Sequence, residues 1–237
     1  MAEPKQAAEL RTRELSYRYG EQWAVDGISL TLRPGELTAL IGPNGAGKST
    51  LLQMLQGQLT PSHGEVLLGE QPIRSCRHQV ALMPQRGRID WRFPITALEM
   101  VKLRHSGKGA ALDRDAKAAL ASVGMEAFGG SRLGELSGGQ QQRVLLAACL
   151  AQSSNTLLLD EPCSAMDPPA RQKVLELLRD QAKAGRCICL SSHDWGTALQ
   201  NYDRVVVLDR QLLFDGPPHQ VGPQLNDLIA SRSGCQH

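Results

Sequence analysis

A glycine-rich stretch at residues 42–50, GPNGAGKST, has the residue types and the spacing of a phosphate-binding loop. It satisfies G-x-x-x-x-G-K-[ST] and lies between an apolar, strand-like run and a segment of helical periodicity. In such loops backbone N–H groups surround the phosphates, the lysine lies between the β- and γ-phosphates, and the hydroxyl coordinates Mg²⁺. The predicted nucleotide-binding residues are Gly42, Pro43, Asn44, Gly45, Ala46, Gly47, Lys48, Ser49 and Thr50. A glycine-rich turn without a ligand is the alternative.

An Asp-Glu pair follows a second apolar run, TLLLDEP, at residues 156–162. Asp160 would end a buried strand, where its carboxylate can reach the magnesium shell through water, and Glu161 can polarise an attacking water. Taken alone, the pair could equally be two solvated carboxylates. Downstream of a phosphate loop, it predicts the metal-binding and catalytic half of a nucleotide hydrolase.

A third stretch, LSGGQQQRV at residues 136–144, predicts a helix that begins with exposed backbone donors. Ser137, Gly138 and Gly139 precede a run of good helix formers, so the N–H groups at this helix start could bind a second anion. A capped helix with a flexible entry and no ligand is the alternative reading of the motif alone.

The hydrophobic pattern predicts the elements that position these residues. Apolar residues alternate within the first forty residues, as in antiparallel β structure, and short apolar strands then alternate with helices. That alternation implies a mostly parallel sheet covered on both faces. The predicted strands include 65–69, 79–83, 156–162, 186–193 and 204–209, and the predicted helices include 95–104, 113–123, 137–152, 168–183 and 194–201. A further helix is predicted from Lys48, with Leu59 on its apolar face and Gly57 near its end. Asp167 is predicted to cap the helix at 168–183.

We therefore predict an α/β fold. It would combine a P-loop NTPase core that contains a mostly parallel sheet, an N-terminal antiparallel β subdomain, and a helical subdomain that carries the LSGGQ motif. The chain would form a single domain, 1–237. Within it, residues 1–85 and 153–237 would build the core, and residues 86–152 would build the helical subdomain.

Composition excludes several other classes of protein. The 237 residues are 41% hydrophobic and 21% charged, which is typical of a soluble globular protein, and a net charge of +2 gives no strong preference for nucleic acid. No run reaches the roughly eighteen apolar residues of a membrane span, and the N-terminus lacks the apolar core of a signal peptide. The six cysteines have neither zinc nor redox spacing, so we expect buried or incidental thiols in a reducing cytoplasm.

Taken together, these motifs closely resemble the ATP-binding-cassette (ABC) ATPases over nearly the whole chain. GPNGAGKST matches the Walker A motif of that family, LLLDE its Walker B motif and LSGGQ its signature. The resemblance implies roles for four further residues. They are Gln85 as the Q-loop glutamine, Asp167 in the D-loop SAMD, His193 as the switch histidine in SSHD, and Tyr19 as the aromatic residue that stacks on adenine.

The resemblance also implies a mechanism with ATP and Mg²⁺ as cofactors. Two copies would form a head-to-tail dimer, in which Ser137, Gly138, Gly139 and Gln140 of one copy meet the ATP held by the other. The residues implied in catalysis are Glu161, His193, Lys48 and Gln85, and those implied at the metal are Ser49, Gln85 and Asp160. Asp167 would couple the two sites across the dimer. Thr156, Cys163 and Met166 depart from the usual motifs without removing a group that touches phosphate.

The segment QRGRIDWRFP at residues 85–94 fits neither a helical nor a strand pattern. It resembles a Q-R-x-x-x-D-W-x-F-P segment of importers for manganese, zinc and related divalent metals. We therefore expect a cytoplasmic ATP-binding subunit, peripheral on the inner face of the cell membrane. Its partners would be a second copy of itself, integral-membrane permease subunits and, indirectly, a substrate-binding protein, but no nucleic acid.

Two alternatives stay open at this point. One is an importer subunit for another substrate, such as an iron chelate, and the other is a soluble ABC ATPase of the iron–sulphur assembly type. Direct metal binding by Asp90 with His78 or His105 has no ligand spacing to support it.

Overall fold

The computed structural model of the chain describes residues 8–105 and 109–222, which contain two β-sheets. The strands are β1 (Leu10–Tyr19), β2 (Gln22–Ile28), β3 (Thr31–Leu32), β4 (Leu37–Ile41), β5 (His63–Leu68), β6 (Gln71–Pro72), β7 (Val80–Met83), β8 (Thr156–Leu159), β9 (Cys187–Ser192), β10 (Arg204–Asp209) and β11 (Gln211–Gly216). The helices are α1 (Lys48–Leu55), α2 (Ile73–Cys76), α3 (Ala97–Arg104), α4 (Gly109–Ser122), α5 (Gly138–Leu150) and α6 (Pro168–Lys183).

The N-terminal sheet is antiparallel, which confirms the predicted β subdomain. Its strand order is β2-β1-β5-β6, and β3 also pairs with β1. Leu10 and Thr12 of β1 are buried while Arg11 and Arg13 are not, as the alternation in the sequence predicts for a sheet with one face on the core.

The second sheet is mostly parallel and has the order β11-β10-β4-β9-β8-β7. Only its edge strand β11 runs antiparallel to its neighbour, β10. All five residues of β4 are buried, as expected for a strand covered on both faces. Because β7, β8 and β9 are parallel neighbours, the residues that follow their carboxyl ends meet at one edge of the sheet.

Helices α3, α4 and α5 lie between β7 and β8 in the chain and pack against one another. Thr96 and Glu99 form a capping box at the start of α3, with the Thr96 N–H donating to Glu99 Oε2 at 2.7 Å. Val101, Leu120 and Leu146 share one hydrophobic core with the parallel sheet. The helical segment is therefore packed against the sheet through α5, which also contacts β7 and β8.

Two local predictions were wrong. The α-helix predicted at 194–201 is a 3₁₀ helix, Gly196–Asn201, and Gly196 at its start has a φ of 61°, which lies outside the range of either kind of helix. Asp167 occupies the N-cap position of α6, but its side chain makes no capping hydrogen bond. Pro168 and Pro169 at the first two helical positions lack N–H groups, and one of those is a usual donor to an N-cap side chain.

Four cysteines, Cys76, Cys149, Cys187 and Cys189, are buried and free, as predicted, and Cys163 is partly buried. Burial raises the pKa of the Cys149 thiol to about 12, so it stays protonated at neutral pH. Cys235 lies outside the described residues. None of the helices in 8–105 and 109–222 combines the length and the apolar content that crossing a bilayer requires.

Candidate active site

The phosphate loop joins β4 to α1, as predicted. Gly47 precedes α1 with a φ of 92°, and a Cβ there would lie 2.2 Å from the carbonyl oxygen of Ala24. Only glycine fits this position, because it tolerates the left-handed conformation and has no side chain to collide. On another side of the loop, the carbonyl oxygen of Ala46 accepts a hydrogen bond from the Arg210 N–H at 2.9 Å. Two neighbouring segments, one at Ala24 and one at Arg210, therefore pack against the loop.

Lys48 is buried within this loop. Its Nζ donates hydrogen bonds to the carbonyl oxygens of Gly42 at 2.7 Å and Pro43 at 3.0 Å. Burial lowers the pKa of Lys48, while the carboxylates of Glu161 and Asp160 act to raise it. The ammonium group thus lies where phosphate oxygens could replace the two carbonyl oxygens as acceptors.

Asp160 follows β8 and is fixed by contacts to both neighbouring strands. Its N–H donates to the carbonyl oxygen of Met83 at 3.0 Å, and its Oδ1 accepts a hydrogen bond from Ser191 Oγ at 2.8 Å. Asp160 is only 4% exposed. A carboxylate oriented in this way, near enough for its charge to act on Lys48, suits a magnesium ion with oxygen ligands.

Glu161 lies where the carboxyl ends of β7, β8 and β9 meet. Its Oε1 is 3.0 Å from Nε2 of His193, which follows β9, and its Oε2 accepts a hydrogen bond from Gln85 Nε2, after β7, at 3.3 Å. The backbone of Glu161 has a φ of 52°, a strained conformation of the kind that concentrates at functional sites. The structure therefore brings together the four residues Lys48, Gln85, Glu161 and His193, which the sequence predicted to be catalytic.

The charge of Glu161 depends on this arrangement. The hydrogen bond with His193 is the largest cause that lowers the pKa of Glu161 below its usual range, and burial acts in the opposite direction. Since a general base works only when it is deprotonated, the lowered pKa would suit Glu161 to the predicted role of general base.

Replacement of His193 by alanine should therefore shift the acid limb of the pH–rate profile. Loss of the largest lowering contribution raises the pKa of Glu161, so activity should decline at a higher pH in His193→Ala than in the wild type. The measurement is kcat/KM for ATP as a function of pH, with the exposed His219→Ala as control. An acid limb that His193→Ala leaves in place would contradict the role of His193 in setting the charge of Glu161.

The LSGGQ residues form the start of α5. Ser137 is the N-cap and forms a capping box with Gln140: its N–H donates to Gln140 Oε1 at 2.8 Å and its Oγ accepts from the Gln140 N–H at 3.3 Å. Gly139 lies so close to the backbone after Glu161 that a Cβ there would be 2.8 Å from the carbonyl oxygen of Ala165. Within the described parts of the chain, Ser137 and Gln140 use these hydrogen bonds for each other rather than for the phosphate loop.

Tyr19 ends β1 and is 53% exposed. Its ring meets the ring of Tyr17 edge-on, with the centroids 4.9 Å apart, so one edge contact fixes it while much of the ring stays open to a ligand. Adenine stacking by Tyr19 stays a prediction. Asp90 and His105, whose spacing did not support direct metal binding, have other partners, since Asp90 pairs with Arg92 and His105 Nε2 lies 3.5 Å from Asp115 Oδ2.

Two residues of the site were not predicted. Ser191 donates to Asp160 and also accepts a hydrogen bond from the Glu161 N–H at 2.8 Å. Gln142 is fully buried in α5, and its Nε2 donates to the carbonyl oxygen of Glu161 at 2.6 Å. Ser191 resembles any polar residue near a strand end, and Gln142 stands in a run of three glutamines. Only the register of β8 against β9 and the packing of α5 identify them.

A residue that holds His193 in place was also not predicted from the sequence. The next residue, Asp194, is buried and forms an ion pair with Arg171 of α6, and it accepts a hydrogen bond from the Tyr202 hydroxyl. Because Asp194 is fixed from two directions, His193 is held next to Glu161. Asp194 lies beside a histidine that the motif already identified, but its two partners are distant in sequence.

Comparisons with known proteins agree with this geometry. The profile of the ABC transporter family matches residues 25–164. The manganese transport system ATP-binding protein MntB of Listeria innocua is 36% identical, over 87% of this chain and 89% of its own length. The zinc transport system ATP-binding protein TroB of Treponema pallidum is 35% identical, over 86% of this chain and 81% of its own.

Solved structures share the fold. The dimeric post-hydrolysis state of the ATP-binding cassette MJ0796, bound to ADP and Pi, is 26% identical and superposes with a TM-score of 0.78 over 88% of this chain and 98% of that one. A second dimeric structure of the same cassette gives a TM-score of 0.77 at 26% identity over the same shares of the two chains. The predicted α/β architecture is confirmed.

Proposed function

The chain is an ATP-binding cassette ATPase of the ABC transporter family, and from that premise we propose that it energises the passage of a divalent metal ion, manganese or zinc, through a membrane permease. It would do so as a dimer, peripheral on the inner face of the cell membrane. A substrate-binding protein would deliver the ion to the permease from the other side.

The observation that carries the catalytic part of the proposal is the convergence of three strand ends on Glu161. Gln85 and His193 contact its two carboxylate oxygens, and the charge of Lys48 lies near enough to influence it. A carboxylate held in this way, next to a phosphate loop, suits the activation of water for attack on a γ-phosphate.

Each group then has a role that its position supports. Lys48 binds the phosphates, Glu161 accepts a proton from the attacking water, and His193 keeps Glu161 charged and orients it. Ser49, Asp160 and Gln85 would hold Mg²⁺, and their oxygen donors fit that ion. When bound, Mg²⁺ supplies neutralisation of the phosphate charge. Tyr19 would bind adenine.

The start of α5 supports the dimer. Its capping box fixes Ser137 and Gln140 at a helix start, where backbone N–H groups can bind an anion. We propose that Ser137, Gly138, Gly139 and Gln140 complete the nucleotide site of the other copy. Asp167, whose carboxylate makes no capping bond, would link the two sites. Residues 86–152 would act as the helical subdomain, which carries this surface relative to the core.

Manganese or zinc is proposed because the relatives named for transport of those ions match over nearly the full chain, and because residues 85–94 carry the segment described above. The ion need not touch this subunit, whose task is to hydrolyse ATP. The substrate is therefore inferred through the permease that the chain fits.

The two aromatic residues of the segment at 85–94 differ in their surroundings. The Trp91 side chain packs against the hydrophobic core, and its Nε1 donates to the carbonyl oxygen of Arg86 at 3.1 Å. Phe93, two residues later, is 59% exposed. We therefore propose Phe93 as the aromatic contact and assign Trp91 a packing role.

Metal uptake by cells that lack this gene tests the proposal. Manganese, zinc and iron are each supplied separately. Uptake of manganese or of zinc should fall in these cells and should return when the wild-type chain is expressed. It should not return with Glu161→Gln, because that variant cannot complete the ATPase cycle. Phe93→Ala should lose more uptake than basal ATPase activity, since it would weaken the contact with the permease.

Unchanged uptake of all three ions would contradict the assignment of a metal substrate. Loss of iron uptake alone would favour an iron importer. Failure of the chain to co-purify with any membrane protein would point to a cassette that works outside transport.

A further inference from the structure

We propose that Arg86 is a positioning residue that ties the Q-loop of each copy to its own signature helix, and so controls the nucleotide site of the partner copy. This inference rests on the proposed dimer. It concerns a side chain that lies beside the catalytic residues and contacts the start of α5.

Arg86 is bound to α5 by several contacts. Its Nε donates to Oε1 of Gln141 at 2.7 Å, and its Nη1 lies 3.3 Å from the point where a Cβ of Gly138 would be. Gln141 is 4% exposed, and its Nε2 donates to the carbonyl oxygen of Leu133 at 3.0 Å. Both ends of this amide are therefore used, which gives Arg86 a fixed acceptor at the first turn of the helix.

The other side of Arg86 is fixed by Trp91. The guanidinium carbon lies 5.9 Å from the centre of the Trp91 ring, within the range of a cation–π contact, and the Trp91 indole N–H donates to the Arg86 carbonyl oxygen. Arg86 is thus held at both its side chain and its backbone. The planar guanidinium suits this double role, since it can stack on the ring while its Nε donates in the same plane.

The preceding residue completes the link. Gln85 contacts the carboxylate of Glu161, and one peptide bond separates it from Arg86. A shift of Gln85 that follows nucleotide binding would therefore move Arg86, and through Gln141 it would move the start of α5. Gly139 lies close to the carbonyl oxygen of Ala165, which limits how far the start of α5 can move toward the backbone after Glu161. Nucleotide binding in one copy therefore positions the signature of that same copy, and this signature contacts the ATP held by the other copy.

The first test is dimer formation by Arg86→Ala in the Glu161→Gln background. The monomer should bind ATP as tightly as before, because Arg86 does not line its own phosphate loop. ATP-dependent dimerisation should need about tenfold more protein, as expected for loss of one charged hydrogen bond at the helix start. Arg114→Ala is the matched control, because Arg114 likewise donates from its Nε to a side-chain oxygen, here the carboxylate of Asp115, on the exposed face of α4.

The second test uses mixed dimers in which Lys48→Met silences one nucleotide site. With Arg86→Ala on the chain that carries Lys48→Met, the surviving site contains the altered signature, and hydrolysis should fall about tenfold from that of the wild-type/Lys48→Met dimer. With Arg86→Ala on the opposite chain, the surviving site contains an intact signature, and hydrolysis should stay at the reference level. A merely structural role would lower both equally.

Equal loss in the two mixed dimers, or unchanged dimerisation in the first test, would overturn the role of Arg86. If instead the wild-type chain neither hydrolyses ATP nor dimerises, the proposed function itself fails. The two failures are therefore distinguishable.

Discussion

Glu161→Gln should lower ATP hydrolysis by about 100-fold to 10,000-fold, the usual contribution of a general base, while ATP still binds. Glutamine has the shape of glutamate, and its single side-chain oxygen can keep one of the two contacts with Gln85 and His193, but it cannot accept the proton of the attacking water. The nucleotide should then stay bound and unhydrolysed. The measurements are the steady-state ATPase rate and the ATP affinity of the purified chain.

Glu176→Gln is the matched control for this prediction. Glu176 lies exposed on α6, where it accepts a hydrogen bond from Gln172, so the same change of charge occurs away from the phosphate loop. Hydrolysis at the wild-type rate by Glu161→Gln would show that another group activates the water. Loss of ATP binding together with hydrolysis would instead mean that Glu161 supports the shape of the site.

Lys48→Met should weaken ATP binding by more than about 100-fold, since it removes several charge-assisted hydrogen bonds to phosphate. Methionine keeps most of the apolar stem that the buried lysine packs within the loop, so the fold should persist. ATP should therefore raise the melting temperature of the wild-type chain but not that of the variant, because a ligand stabilises only the state that binds it.

Lys117→Met is the control for this second prediction. Lys117 carries the same charge on α4, where it pairs with Asp113 at 2.8 Å on an exposed surface. ATP should stabilise this variant as it does the wild type. An ATP-induced rise in melting temperature that survives in Lys48→Met would contradict the assignment of Lys48 as the phosphate-binding lysine.

The sequence identifies the residues that carry the chemistry of this site better than the residues that hold them in place, and the reason is physical. Lys48 and the Asp160–Glu161 pair lie in short motifs whose local backbone determines their role, so a contiguous stretch identifies them. Ser191 contacts Asp160 only because β8 and β9 lie side by side in register. Gln142 likewise depends on how α5 packs. Neither residue type has a local signal that distinguishes it from an ordinary polar residue.

Errors in the predicted fold have a similar origin. The helix at 168–183 was predicted at its observed bounds because prolines mark its start and a glycine follows its end. The segment at 194–201 has some helical character in sequence, but its helix is of the 3₁₀ kind and begins only at Gly196, which adopts a positive φ. Arg86 shows the same limit, since its partner Gln141 is fifty-five positions away in the chain.

In the proposed mechanism, two copies close around two ATP molecules, each bound by the loop of one copy and the signature of the other. The most direct measurement is the mass in solution of Glu161→Gln, with and without ATP and Mg²⁺, together with the number of nucleotides bound. We predict a shift from the 25.7 kDa chain to twice that mass with ATP, with two ATP molecules in each dimer. A chain that binds one ATP and stays monomeric at every protein concentration tested would contradict the account.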